Sequence, residues 1–178
     1  GMFHSVSRPI KSLEDLKGLK VRGPTRQVTK MLGSVGATPV GMPLPGIPDA
    51  LSKGTIEACV IPWEVVPSVK VHELCKFHSE FDNKGAALYT TTFVMAMNKA
   101  KYESLAPDLK KVIDANSGAD TSAWLGKTQQ GNDALGRKAA VDRGNTIYQF
   151  TDAQRAEFIK RSSAIDEEWV ADMDKRGF

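Results

Sequence analysis

The chain has 178 residues, of which 41% are hydrophobic and 25% are charged, and this composition is typical of a globular protein able to bury a core. Its net charge is only +3, and Lys and Arg are mixed with Asp and Glu throughout, so no basic block indicates nucleic-acid binding. No apolar run approaches the roughly 20 residues of a membrane span. Residues 1–5 also lack the basic and apolar regions of a signal peptide.

The amino-terminal half alternates between strand and helix signals. Residues 1–11 are expected to form an extended lead-in, and residues 19–22 predict a strand with Lys20 and Arg22 on one face. Thr25 is expected to cap a helix that runs to about residue 33. Further strand signals lie at 38–40 and 56–61, and further helix signals lie at 49–53 and after Pro62. This alternation predicts an α/β lobe with parallel strands.

The carboxyl-terminal half reads mainly as long helices. Residues 71–77 predict a strand or irregular structure, 78–85 a polar loop and 89–97, rich in β-branched and aromatic residues, a long strand. A helical pattern follows from Pro107 to about residue 141, with Gly118, Gly126 and Gly131 as candidate bends. After a strand at 145–150, Thr151 is expected to cap a last helix that buries Phe158, Ile165 and Trp169.

Arg22 is the candidate binding residue that local chemistry singles out. It ends a predicted strand beside the start of a predicted helix, and ligands of open α/β sheets collect at that edge. A guanidinium there can bind a carboxylate through two parallel hydrogen bonds, although a strand-end arginine in a surface ion pair is the alternative. Trp63 is interpreted either as core packing or as a pocket wall.

No set of residues in the sequence forms a recognisable catalytic or metal-binding motif, and we expect no enzyme activity, cofactor or metal. The histidines at 72 and 78 are expected to face solvent. Cys59 and Cys75 do not form a C-x-x-C pair. They are interpreted as two small buried residues, and a disulfide in an oxidising compartment is the alternative.

Three segments carry a resemblance to a known family. Residues 12–24 read SLEDLKGLKVRGP, residues 32–40 read LGSVGATPV, and residues 42–58 end in GTIEA. These segments resemble the solute-binding proteins of tripartite ATP-independent periplasmic (TRAP) transporters, the DctP family. The later strand and helix signals follow in the family's order, so the resemblance extends over nearly the whole chain.

The resemblance implies a periplasmic, two-lobed α/β protein that closes on an organic acid and delivers it to the TRAP membrane permease. Arg22 occupies the place of the family's carboxylate-clamping arginine, and Thr25, Leu44, Ile61 and Trp63 resemble ligand-lining positions. The apolar Ile61 favours a more apolar acid over a sugar acid or a small dicarboxylate.

The resemblance also implies that part of one lobe is missing. The expected fold class is a periplasmic-binding-protein-like α/β lobe with a parallel-rich sheet and long carboxyl-terminal helices, beside an incomplete second lobe. Residues 1–88 are expected to form the ligand-binding lobe, and residues 89–178 the crossing strand and helices of the other. Apolar surface left bare in this way favours a homodimer, which a monodisperse monomer in sedimentation would contradict. A non-transport interaction or regulatory module is the alternative function.

Overall fold

The structure is a computed structural model that describes residues 1–81 and 87–178. In these residues six strands form one sheet. They are β1 (Met2–Ser5), β2 (Lys20–Gly23), β3 (Thr38–Gly41), β4 (Ala58–Ile61), β5 (Phe77–Phe81) and β6 (Thr146–Phe150).

The strands are ordered β3-β2-β4-β1-β5-β6 across the sheet. β2 pairs in parallel with β3 and β4, and β5 pairs in parallel with β6. β1 lies between the two parallel groups and is antiparallel to both of its neighbours. The prediction of an α/β fold with a parallel-rich sheet is confirmed. The lead-in prediction is corrected, because residues 2–5 form a central strand.

Helices connect most of the strands. They are α1 (Arg26–Ser34), α2 (Ile47–Ser52), α3 (Val71–Leu74), α4 (Lys99–Glu103), α5 (Pro107–Ala115), α6 (Ala119–Asp142) and α7 (Asp152–Lys175). Short 3₁₀ turns lie at Glu14–Leu16, Leu44–Gly46 and Trp63–Val65. None of the described helices has the length and apolar character needed to span a membrane.

Two predicted helix caps are present. The Thr25 hydroxyl oxygen accepts a hydrogen bond from the Val28 amide at 3.2 Å and so begins α1. Thr151 caps α7 in a capping box, in which the Gln154 side chain also accepts from the Thr151 amide at 2.8 Å. These local hydrogen bonds satisfy amides that have no partner within the helix.

The predictions for residues 71–85 are wrong where the structure describes them. Residues 71–74 form the short helix α3, and residues 77–81 form the buried strand β5 rather than a loop. His78 is therefore buried instead of facing solvent. The polar side chains of β5 mislead a prediction from composition, because the partners that satisfy them come from distant elements. Residues 82–85 of the predicted loop lie outside the described residues.

The long strand predicted at residues 89–97 is also absent. This segment has no regular secondary structure, and the side chains of Phe93, Val94 and Met95 are 69%, 81% and 93% exposed. A strand requires a hydrogen-bonding neighbour, and no described strand lies beside this segment.

The helix predicted from Pro107 to residue 141 is divided into α5 and α6 at Gly118, whose φ of +90° favours glycine. On α7 only Phe158 of the three predicted core residues is fully buried, and Trp169 is 48% exposed. Long helical patterns are therefore located correctly, but their bends and buried faces depend on the neighbouring elements.

Apolar side chains fill both faces of the sheet. Along β4, Ala58 and Val60 belong to one buried cluster, and Cys59 and Ile61 belong to the other. The long helix α6 packs closely on the second cluster, since a Cβ at Gly136 would lie 1.8 Å from the Trp63 carbonyl oxygen. Strand β6 and Phe158 of α7 come from the carboxyl-terminal half of the chain, and both pack on this sheet or within it. The predicted division into residues 1–88 and residues 89–178 stays a prediction.

Candidate functional site

The carboxyl ends of β2, β3 and β4 meet at one edge of the sheet, because these three strands are adjacent and parallel. In register, Arg22 lies beside Val40 of β3 and Cys59 of β4. This is the edge where open α/β sheets bind ligands. We call the group formed here by Arg22, Met42, Val60 and Tyr89 the arginine edge.

The Arg22 guanidinium is held by backbone oxygens. Its Nε donates to the Met42 carbonyl oxygen at 3.0 Å, and its Nη1 donates to the Val60 carbonyl oxygen at 3.2 Å. The side chain is only 4% exposed, and burial lowers its pKa from the ordinary value, although an arginine stays charged in proteins. No carboxylate of the described residues forms an ion pair with it.

Tyr89 lies next to this guanidinium. Its hydroxyl donates to the same Val60 carbonyl oxygen, also at 3.2 Å. The side chain is half-buried, and burial raises its pKa to about 12, so the phenol is protonated at neutral pH. The sequence pattern identified Tyr89 only as a strand residue, because nothing local connects it with Val60, which lies 29 positions earlier.

The five predicted ligand-lining residues lie at different depths. Arg22 and Ile61 are buried at the ends of neighbouring strands, and Leu44 is half-buried in the 3₁₀ turn after β3. Thr25 is exposed at the start of α1. Trp63 is only 3% exposed and packs within the core. The described geometry therefore favours core packing for Trp63 over a pocket wall.

Two surface grooves meet at Thr25. The first, of about 620 Å³, is bounded by α1, α7 and residues 88–92, and its apolar walls include Val28, Met31, Leu88, Tyr89 and Trp169. The second, of about 610 Å³, lies between residues 23–30 and residues 41–43. Tyr89 thus extends from the Arg22 guanidinium to the wall of the first groove.

A second polar group lies farther across the sheet and is closed. The Glu80 carboxylate accepts from Trp63 Nε1 at 2.8 Å and from Arg137 Nε and Nη2 at 3.0 and 2.9 Å. Gln149 Nε2 adds a contact at 3.3 Å. We call His4, Trp63, His78, Glu80 and Arg137 the closed cluster, because each charge in it has an internal partner.

The histidines of the closed cluster form a directional chain of hydrogen bonds. His4 Nε2 lies 3.1 Å from the Ile61 carbonyl oxygen and therefore carries a hydrogen, since a carbonyl can only accept. In the neutral ring His4 Nδ1 then accepts, so His78 Nδ1, 2.7 Å away, must donate. His78 Nε2 is left to accept from the Asn145 amide at 3.0 Å.

Both histidines are neutral in this arrangement. Burial and the neighbouring His78 lower the pKa of His4 well below its usual value, and burial lowers the pKa of His78 to about 4. A second hydrogen on His4 would sit on Nδ1 and face the hydrogen of His78 Nδ1, and a second hydrogen on His78 would sit on Nε2 and face the Asn145 amide hydrogens.

The two cysteines are free thiols and are buried, as in the first interpretation. A hydrogen bond with Cys59, together with burial, raises the pKa of the Cys75 thiol. No three His, Cys, Asp or Glu side chains cluster at metal-binding geometry in the part of the chain that the structure describes.

Comparisons with known proteins agree with the fold. The family model of the bacterial extracellular solute-binding proteins, family 7 (DctP), matches residues 2–172. A TRAP solute-binding protein from Rhodoferax ferrireducens T118, solved in complex with copurified benzoate, is 62% identical with a TM-score of 0.95. The alignment covers 99% of this chain and 55% of that protein.

Two further relatives are similar over part of their length. A marine metagenome TRAP solute-binding protein specific for aromatic acid ligands, solved with 3-hydroxybenzoate, is 44% identical with a TM-score of 0.93, over 99% of this chain and 55% of its own. The 2,3-diketo-L-gulonate-binding periplasmic protein YiaO of Escherichia coli K12 is 33% identical over 59% of this chain and 31% of its own length.

The chain thus spans about half the length of the solved relatives that it matches. The family model nevertheless covers nearly all of it, and the α/β lobe with its long carboxyl-terminal helices matches those relatives closely. The chain belongs to the bacterial extracellular solute-binding proteins of family 7, the DctP family.

Proposed function

We propose that this chain is the periplasmic solute-binding component of a TRAP transporter and binds an aromatic monocarboxylate, with Arg22 as the clamp for the carboxylate. In this role it turns over no substrate and passes the acid to the TRAP permease subunits. The observation that carries the proposal is the buried Arg22 guanidinium, which among the described residues donates hydrogen bonds only to carbonyl oxygens.

A buried cation without an anionic partner is costly, because its desolvation is not offset by a full opposite charge. Arg22 Nη2 has no acceptor in the described part of the chain, although Nε and Nη1 have one each. A ligand carboxylate would supply both the missing charge and the missing acceptor. A forked guanidinium can donate two parallel hydrogen bonds to the two oxygens of a carboxylate, which the ammonium group of a lysine cannot do.

The aromatic class is supported by the ligands of two of the similar solved proteins, benzoate and 3-hydroxybenzoate. It is also supported by the apolar wall of the groove that Tyr89 enters, formed by Val28, Met31, Leu88 and Trp169. Such a wall suits a flat apolar body better than the hydroxyl groups of a sugar acid.

The test is a calorimetric titration of the chain with benzoate, beside 3-hydroxybenzoate, malonate and galacturonate. Arg22→Ala is expected to weaken benzoate binding about 100-fold, because it removes charge-assisted hydrogen bonds to the ligand. Arg22→Lys keeps the positive charge but not the forked guanidinium, and its affinity for benzoate is expected to lie between those of the parent chain and Arg22→Ala. Arg26→Ala is the matched control, since Arg26 is exposed on α1 and pairs with Asp172 at 3.7 Å.

Benzoate binding that survives Arg22→Ala would contradict the clamp. No binding of any acid, either by this chain or by a chain extended at its amino end, would contradict the solute-binding role and favour an interaction module. The homodimer stays a prediction, and the exposed apolar side chains of Phe93, Val94 and Met95 are the surface that it would cover.

A further inference from the structure

The arginine edge contains a second side-chain donor that points at the same place as Arg22. The Tyr89 hydroxyl and Arg22 Nη1 each lie 3.2 Å from the Val60 carbonyl oxygen. Two side chains from distant parts of the sequence therefore bring their polar atoms together at the end of β4. An ionised carboxylate can only accept hydrogen bonds, so a site for it requires several donors at one point.

We propose that Tyr89 is a second binding residue for the acid, whose hydroxyl turns from the Val60 carbonyl oxygen to the ligand carboxylate when the acid binds. This inference rests on the proposed function and adds to it a neutral donor beside the cationic one.

The exchange of partners leaves the Val60 carbonyl oxygen with a hydrogen bond. When Tyr89 releases the Val60 carbonyl oxygen, Arg22 Nη1 still donates to it. A carbonyl with one remaining donor avoids the penalty of an unsatisfied buried acceptor. In the free protein the Tyr89 hydroxyl is thus held by the Val60 carbonyl oxygen, which can lose this hydrogen bond because it also accepts one from Arg22.

The phenol has the protonation state that this role needs. Burial raises the pKa of Tyr89 to about 12, above the usual value for tyrosine. The hydroxyl therefore keeps its hydrogen beside a bound carboxylate, and a phenolate that would repel the ligand does not form at physiological pH.

The rest of the residue is suitably placed. Its backbone carbonyl oxygen lies 2.8 Å from the Gly1 nitrogen, beside the start of β1. Its ring forms part of the wall of the groove next to Leu88 and Thr25. A hydroxyl at the arginine and a ring in the groove together suit an acid whose carboxylate is attached to a flat apolar body.

The experiment compares Tyr89→Phe with the parent chain by calorimetric titration with benzoate. Phe fills the same space and removes only the hydroxyl, so the dissociation constant is expected to rise about tenfold. Tyr148→Phe is the matched control, because the Tyr148 hydroxyl contacts Gln154 at 3.4 Å, outside the arginine edge. The dissociation constant of Tyr148→Phe for benzoate is expected to stay within about twofold of the parent value, since the Tyr148 hydroxyl lies outside the proposed site.

A spectroscopic measurement separates a ligand contact from a structural role. The ¹³C resonance of carboxyl-labelled benzoate, when bound, is expected to shift between the parent and Tyr89→Phe and not between the parent and Tyr148→Phe. The melting temperatures of the ligand-free variants report any loss of folding independently.

The outcomes distinguish the two proposals. If Arg22→Ala weakens binding and Tyr89→Phe changes neither the dissociation constant nor the ¹³C resonance, Tyr89 is not a binding residue and the clamp stands. If Tyr89→Phe weakens binding and Arg22→Ala does not, the hydroxyl contact stands and the clamp is wrong. If benzoate does not bind the parent chain, both proposals are overturned.

Discussion

The arginine edge and the closed cluster are both buried polar groups on one sheet, and they differ in how their charges are satisfied. Glu80 of the closed cluster accepts hydrogen bonds from Trp63, Arg137 and Gln149. Arg22 of the arginine edge has only two carbonyl oxygens as partners among the described residues. The first charge is neutralised by the protein itself, whereas the second has no anionic partner among the described residues and is the one that we propose binds an acid.

This difference is the reason for which we propose a binding role for the arginine edge and a structural role for the closed cluster. Burial alone does not distinguish them, because Arg22 and Glu80 are 4% and 5% exposed. The distinction lies in the partners, since a satisfied ion pair holds elements together while an unsatisfied cation lowers stability until a ligand binds.

The largest expected effect is on the closed cluster. Glu80→Ala removes the acceptor for Trp63 and Arg137, and we expect the free energy of unfolding to fall by about 4 kcal/mol, because the buried Trp63 Nε1 loses its acceptor, the partly exposed Arg137 loses its ion pair and a cavity is left. Urea denaturation measures this loss. Glu80→Gln is the control, since its amide oxygen can still accept from Trp63 Nε1, and its loss is expected to be about half as large. A loss below about 1 kcal/mol for Glu80→Ala would show that the cluster is not structural.

The buried histidine pair predicts that the free energy of unfolding falls as the pH is lowered. The unfolded chain protonates His78 near its ordinary pKa of 6.5, while the folded protein does so only at about 4. The unfolded state therefore binds more protons in this window, so stability is lost as the pH falls from 6.5 to 4 and changes no further from this group below that. The loss from His78 is about 3 kcal/mol.

Denaturation curves of the parent and of His78→Leu at pH 7.5, 5.5 and 4 measure this term. Other groups also titrate over this range, so the informative quantity is the difference between the two proteins. We expect the variant to lose about 3 kcal/mol less than the parent between the highest and the lowest pH. Equal losses in both proteins would contradict neutral burial of His78.

The smallest expected effect is at the arginine edge of the ligand-free protein. Arg22→Met replaces a desolvated cation with an apolar side chain, and we expect the free energy of unfolding to change by less than about 1 kcal/mol. The Val60 carbonyl oxygen keeps its bond from Tyr89 in this variant. The same variant should abolish stabilisation by benzoate. A fall in the free energy of unfolding of more than about 2 kcal/mol in Arg22→Met would show that Arg22 has a structural role like that of Glu80.

The local features of the fold were predictable from the sequence. The caps at Thr25 and Thr151 and the strand that contains Arg22 depend on residues within a few positions of each other. Hydrogen bonds and side-chain alternation act over that range, and the sequence pattern shows them directly.

The predictions that were wrong concern residues whose structure depends on partners far away in the sequence. β5 was predicted as a loop because His78, Ser79 and Glu80 are polar, yet each is buried against elements far away in the sequence. Residues 89–97 have the composition of a strand and no neighbour to pair with in the described structure. The position of Tyr89 beside Arg22 was missed for the same reason, since the contact runs through Val60.

The central position of β1 has a consequence for the order in which the sheet assembles. Phe3 pairs with Val60 on one side and with Ser79 on the other, and β1 precedes both of these neighbouring strands in the sequence, so it cannot pair until they have been synthesised. β2, α1 and β3 follow one another closely and can fold together as they emerge, whereas β1 is fixed only after β5 has been synthesised. Until then its apolar side chains, Phe3 above all, remain available to chaperones.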